Sequence, residues 1–227
     1  MSVYKISEIN EDKIENKIKF GNPCLKINHY FINCENDIFV QLDNVYFKQN
    51  FQKIDGKITA TVNMNGSFEK NFLIFDNFII NIVNNMFPLW FNKEIDMDDL
   101  LEYYIPTVTD YYENNENNEM TEQEVTSDLF SYTSSEDEDY NKNEEIEETE
   151  ENYNNLDLSM NCEIPYNYEE NDLDIMIFDS SNNLIEGLWN NIEIMGKEGI
   201  CIVKLSGLKI EKNKFHSVWE LVQLKIC

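Results

Sequence analysis

The chain contains no arginine: all 17 of its basic residues are lysines, set against 44 Asp and Glu. Two histidines, His29 and His216, are too few for a histidine-built metal site, and no C-x-x-C spacing joins the five cysteines at 24, 34, 162, 201 and 227. There is no G-x-S-x-G, no P-loop and no G-x-G-x-x-G, so the common nucleophile-elbow and nucleotide-cradling chemistries are not signalled. No run approaches the ~18 apolar residues of a spanning helix. Residues 1–20 lack the apolar segment of a signal peptide. Together these absences predict reduced thiols, no membrane and an intracellular setting, cytoplasm or nucleus. The missing arginine, beside abundant Asn, Ile, Lys, Glu, Tyr and Phe, also fits a strongly AT-rich genome.

What is present is unevenly distributed. Residues 1–92 hold nine Lys and ten acids, residues 93–172 two Lys and 27 acids, and residues 173–227 six Lys and seven acids. Two near-neutral flanks therefore surround one acidic block, and the net charge of −27 belongs to the block. Over residues 108–165 aliphatic residues are few and no periodicity is sustained. Such a composition cannot bury enough apolar area to offset its ordering entropy. This segment is expected to be a disordered insertion between two halves of one fold. Removing it leaves about 170 residues, enough to bury roughly 70% of the unfolded chain's surface.

The flanks carry strand signals. Residues 1–16 are expected to be flexible, or a short helix. Residues 17–33 predict strand, turn, strand around Gly21 and Pro23, and residues 37–48 alternate with Ile38, Val40 and Leu42 on one side and Phe39, Gln41 and Asp43 on the other. Asp43–Asn44 marks a bulge or kink, Asp55–Gly56 a turn, and residues 57–64 another strand. The period then changes. Phe72, Phe75, Phe78, Ile79, Ile82, Val83 and Met86 lie on one face of a helix over about 71–86 that Pro88 should end, and Asp96 can cap a short helix reaching Tyr103. Residues 172–179 predict a strand, 184–195 a strand or irregular element, and 199–210 with 215–226 a hairpin. The expected fold is mainly β with one central helix, an OB-type barrel interrupted by the acidic insertion. The expected parts are 1–16, 17–107, 108–165 and 166–227.

For function, the acidic pairs at Asp96, Asp98 and Asp99 and at Asp172 and Asp174 could bind Mg²⁺, but 44 acids make such pairs common by chance. Neither an enzyme nor a cofactor is expected. Single-strand binders combine a cationic groove with aromatic platforms. The candidate residues here are Phe39, Gln41, Tyr46, Phe47, Lys48, Lys53, Lys57, Lys204, Lys212, Lys214 and Trp219. If Ile38, Val40 and Leu42 face the core, Phe39 points outward. It is then either a stacking residue or a contact for the N-terminal segment. A tethered polyanion would compete with phosphates for the cationic groove, or recruit replication proteins or other basic partners. Ser134 and Ser135, just before four acids, suit acid-directed phosphorylation. The rival reading is an acidic interaction or transcription-associated factor without direct DNA binding. Convergence of the lysines on one concave aromatic face would separate the two.

Several segments together resemble a known family: Asn36–Leu42, Phe75–Ile80, Trp90–Phe91, Tyr104–Val108, Ile202–Leu208 and Trp219–Lys225. They are similar to the OB-fold single-stranded-DNA-binding proteins of large nucleocytoplasmic DNA viruses, the poxvirus type and its relatives. That resemblance implies DNA binding without strong sequence preference in viral replication or recombination, self-association, and no catalysis. It places Lys204–Leu208 and Trp219–Lys225 in barrel walls, with Gln41 and Trp219 at or behind the binding face. Poxvirus-type members carry their acidic stretch at the C-terminus, so the internal block has no counterpart there.

Overall fold

The computed structural model describes residues 3–14, 17–54, 56–110, 157–167, 169, 172–212 and 214–227. Its strands, in chain order, are β1 (Val3–Lys5), β2 (Cys24–Leu25), β3 (Tyr30–Asn33), β4 (Phe39–Tyr46), β5 (Gln52–Ile54), β6 (Lys57–Asn65), β7 (Tyr104–Ile105), β8 (Thr109–Asp110), β9 (Asp157–Ile164), β10 (Tyr166–Asn167), β11 (Asp172–Leu173), β12 (Met176–Phe178), β13 (Glu198–Glu211) and β14 (Lys214–Ile226). The helices are α1 (Glu11–Ile14), α2 (Glu69–Phe91) and α3 (Met97–Tyr103). The protein is mostly β with one main helix, as the sequence predicts.

Five strands organise the rest. β4 pairs with β6, β6 with β9, β9 with β14, β14 with β13, and β13 returns to β4. All these pairings are antiparallel except β9–β14, which is parallel. Two of the five joints are thin: β4–β6 rests on Tyr46 opposite Asn63, and β9–β14 on Glu163 opposite Glu220. A five-stranded, partly open ring is the OB-type arrangement. At the first thin joint the buried Asn63 side chain donates to the Tyr46 carbonyl at 3.3 Å.

Alternation explains the ring interior. Ile58, Ala60, Val62 and Met64 of β6 face inward opposite Leu158, Met160, Cys162 and Ile164 of β9, and all eight are buried. β4 adds Val40 and Leu42, β13 adds Cys201, Val203 and Leu205, and β14 adds Trp219, Leu221 and Leu224. Helix α2 lays Phe72, Phe75, Ile79 and Val83 on this core. The rings of Phe72 and Phe75 meet Trp219 edge-on at 6.3 and 5.4 Å. Each such buried side chain contributes about 1.5–3 kcal/mol through the area it removes from water.

The expectations need four corrections. First, residues 3–14 are not a loose tail: β1 adds in parallel to β4, α1 supplies the short helix that was the other expected form, and Ile6, Ile9 and Ile14 are buried. Second, the acidic segment was expected to reach 165, but Asp157–Ile164 forms the third strand of the ring. Residues 111–156, with Ser134 and Ser135, lie outside the described residues. Third, α2 runs 23 residues, through Pro88 to Phe91, and ends where Asn92 adopts φ 52° and donates its N–H to the Pro88 carbonyl. Proline in the last turn removes only one internal hydrogen bond, which a helix packed along most of its length tolerates. The span Gly66–Phe91 is long and apolar enough to cross a membrane by length and composition, with mean hydropathy 1.3, whereas the sequence reading found no such run. Here its inner face packs on the ring. Fourth, the strand expected over 172–179 is split into β11 and β12; residues 184–195 take the irregular course that was one of their two expected forms, with one 3₁₀ turn at Trp189–Asn191.

Other features match. The bulge at Asp43–Asn44 appears as a register shift against β13, with Asn44 at φ 55°. The Asp96 side chain caps α3 by accepting from the Asp98 N–H at 3.3 Å. The β13–β14 hairpin pairs along its full length, with two shifts in register.

Candidate nucleic-acid interface

The outward face of β6 and β9 is built by the same alternation that fills the core. Lys57, Thr59 and Thr61 stand beside Glu163, Asn161 and Ser159. A ladder of uncharged groups crosses it. Gln52 donates to Gln49 at 2.9 Å, Gln49 to the Thr61 hydroxyl at 2.7 Å, and Thr61 to Asn161 at 2.9 Å.

Three projections turn this face into a trough. The β5–β6 hairpin carries Ile54, which is 52% exposed. The β2–β3 turn carries Ile27, 97% exposed, with Asn28 and His29. The tip of the β13–β14 hairpin supplies Lys209 and Glu211. Together with Lys57, Thr59 and Asn161 they enclose about 660 Å³. A second cavity of about 270 Å³ continues past Thr59 and Asn161 to Thr107, Thr109, His216 and Ser217. A third, of about 460 Å³, continues the other way from Asn28 and His29 to Tyr30, Phe91, Lys93 and Lys212. Shared lining residues make one path of the three.

Cations line this path. Lys209 lies opposite His216, and Glu211 opposite Lys214, so cross-strand pairing puts Lys214 on the same face as Lys209. Lys57 pairs with Glu163, and Lys209 with Glu211 at 2.7 Å. Such exposed pairs are worth about 0–1 kcal/mol and exchange readily for other anions. Partial burial, then the nearby Lys209, holds both His29 and His216 below the ordinary imidazole value. Both rings are therefore neutral at pH 7.

Beneath the Thr107–Ser217 end lies a buried polar network. Asp76 of α2 accepts from the Tyr104 hydroxyl at 2.6 Å, from the Thr107 hydroxyl at 2.5 Å and from the Thr107 N–H at 3.1 Å. Thr107 and Ser217 hydroxyls meet at 2.8 Å, and the Trp219 indole N–H donates to Ser217 at 2.9 Å. Burial raises the Asp76 carboxyl above its usual range, opposed by these three donors, and raises the Tyr104 phenol well above its own. The network ties the helix to the wall of the trough.

The eleven residues proposed from sequence divide into groups. Lys57 and Lys212 line the path, and Lys214 stands on the hairpin face that carries Lys209. Lys53 is opposite the buried Ile58, so it stands on the other side of its hairpin from Ile54 and Lys57. Phe47 and Trp219 are core residues, 1% and 2% exposed, and no base can stack on them without opening the ring. Phe39, expected to point outward, is only 9% exposed: Val3 of β1 lies on one side, and Lys204 on the other holds its ammonium 5.7 Å from the ring centroid. Lys204 itself bridges to Asp37 at 2.8 Å. Gln41 donates to Asp43 at 2.7 Å on that same face. Lys48 lies over the Tyr46 ring at 5.9 Å. Residues the sequence reading missed on the path are His29, Tyr30, Ile54, Lys93, Asn161 and Lys209. Of these, Tyr30 and Lys209 lie on strands whose expected alternation gives their facing, and Asn161 lies on β9, which the sequence reading left inside the acidic segment.

The five thiols are unpaired. Burial pushes the Cys162 thiol up to about 12 and Cys201 well above its ordinary value, so neither is a nucleophile. Among the described residues no group of three or more His, Cys, Asp or Glu is arranged to hold a metal ion.

No family model matches the chain, and no curated protein matches it. Among solved structures, the single-stranded DNA-binding protein from bacteriophage Enc34 in complex with ssDNA is similar over 91% of this chain and 94% of that one, at 8% identity and a TM-score of 0.38. At that score and identity the likeness establishes neither a shared fold nor a shared ligand, and the comparisons do not extend to the poxvirus-type family.

Proposed function

We propose that this chain binds single-stranded DNA along the trough without strong sequence preference. One observation carries the reading: in a chain of net charge −27, Lys57, Lys93, Lys209 and Lys212 line one continuous path, Lys214 stands on the same hairpin face as Lys209, and a ladder of neutral polar side chains crosses the floor. The lysines suit phosphates. Exposed Ile27 and Ile54 suit the apolar faces of unstacked bases, and the Gln49–Thr61–Asn161 ladder suits their edges. A duplex hides those faces. The solvent side of α2 presents Asn77, Asn81 and Asn85 rather than the row of cations a groove-reading helix uses.

The acidic stretch modulates this binding. Residues 111–156 hold sixteen acids and one lysine. Their flanking strands pair with each other, Thr109 opposite Ser159 and Asp110 opposite Leu158, at the end of the trough. A polyanion tethered there competes with phosphates or engages basic partner proteins. The same charge supports the second reading, a docking factor without DNA affinity, for which the placement of Lys53 and Lys204 away from the trough speaks.

Fluorescence anisotropy of a labelled single strand of ~30 nucleotides, long enough for one or more sites of this size, against the matching duplex decides between them. Strand-selective binding that weakens with salt supports the proposal. Absence of binding at micromolar protein and low salt leaves the docking factor.

A further inference from the structure

The trough has cations and aliphatic side chains but almost no accessible ring. Trp219, in the wall of the Thr107–Ser217 cavity, is 2% exposed. Tyr30 is the one aromatic among the exposed large apolar side chains of the described residues, at 37%. It sits in the third cavity, where β3, the end of α2 and the β13–β14 turn meet. Its ring contacts Phe91 edge-on at 5.1 Å, and Phe91 contacts Phe87 at 4.9 Å. Edge contacts fix the plane of an exposed ring, which lowers the entropy lost when another ring stacks on it.

The rim of this cavity is cationic. Lys93 follows the left-handed residue that ends α2, Lys212 holds φ 54° in the hairpin turn, and His29 joins the cavity to the trough. Glu163 and Glu211 line the other two cavities, but among the described residues no carboxylate lines this one. A fixed aromatic plane flanked by two ammonium groups matches a nucleobase with its adjoining phosphates.

Resting on the single-strand reading above, we propose that this pocket captures one base at the end of the bound strand. The base stacks on Tyr30 within the Phe87–Phe91 wall, and Lys93 and Lys212 hold the phosphates on either side. Stacking is concentrated at this one place, and the rest of the trough holds the strand by charge and by contacts with aliphatic and neutral polar groups.

The test uses the full chain and oligothymidine strands carrying 5-iodouracil at one position each. Irradiation followed by peptide mapping should give adducts at Tyr30 or Phe91 from one end of the strand only. Tyr30→Leu should weaken binding about tenfold with an unchanged unfolding midpoint and an unchanged salt slope. An abasic residue at the crosslinked position should weaken wild type to the same extent and leave Tyr30→Leu unaffected. Adducts confined to β6, β9 and the hairpin tip, or undiminished affinity in Tyr30→Leu, overturn the pocket while leaving the trough standing. No binding by wild type removes both.

Discussion

Two faces of the ring carry a lysine beside apolar side chains on a strand, and only one is open. On the β4–β13 face, Phe39 lies between β1 and Lys204, Lys204 is held by Asp37, and Gln41 is turned to Asp43. On the β6–β9 face, Ile54 and Ile27 stand in solvent, and Lys57 and Lys209 pair with Glu163 and Glu211. The same local chemistry serves cohesion in one place and is free for a ligand in the other. What separates them is a three-residue strand: β1 covers the first face, and nothing in the described residues covers the second.

The sharpest way to break this comparison is charge reversal. Lys209→Glu combined with Lys212→Glu and Lys214→Glu should abolish measurable single-strand binding. Restoring them one at a time should steepen the log–log salt dependence by about 0.7 per phosphate contact. Lys204→Glu on the covered face should leave the salt slope unchanged, and an equal loss from Lys204→Glu would erase the distinction between the faces.

Next in size is Asp76→Ala. It leaves the Tyr104 and Thr107 donors without their buried acceptor and should cost about 1–3 kcal/mol for each unsatisfied group, read by urea unfolding. Because the folded pKa of Asp76 is raised, its ionisation opposes folding. The stability it contributes is present below its unfolded pKa and falls as pH rises through its folded pKa. Asp76→Ala should therefore flatten the wild-type stability profile on the acid side of neutrality.

Gly207→Ala probes the covered side. A Cβ there collides with the Ile32 carbonyl where β13 turns from β4 to β3. It should lower stability by about 1–3 kcal/mol, with DNA affinity of the folded protein intact. Proteolytic protection and anisotropy on the same sample separate the two effects.

The smallest expected effect is the pH response of binding. His29 and His216 are neutral at pH 7, and burial lowers the pH at which each gains its positive charge below the ordinary imidazole value. Affinity at constant ionic strength should rise between pH 7.5 and 5.5 by about fivefold for one charge near a phosphate, roughly 1 kcal/mol. The double variant His29→Gln/His216→Gln should bind with no such rise.

Much of the fold was legible because alternation and helical period survive in the sequence. Ile38, Val40 and Leu42, and Ile58 through Met64, fall inward as their period dictates. Leu158, Met160, Cys162 and Ile164 carry the same period, yet β9 was missed because its neighbours upstream are almost all polar or acidic, and composition outweighed four residues of pattern. The site was less legible. A lysine's type says it is solvated, not which way it faces, so Lys53 and Lys57, four residues apart, were assigned together and stand on opposite sides of one hairpin.

The amino-acid sequence by itself determined most of the strands and the main helix, the capping of α3, the bulge at Asn44 and the concentration of acid between the halves, because these depend on neighbours within a few residues. Only the tertiary structure decided that Phe39 is covered and Tyr30 exposed. Which strand lies beside which is set by pairings between residues as far apart as Val3 and Phe39, or Ile32 and Leu208, and no local pattern encodes that distance.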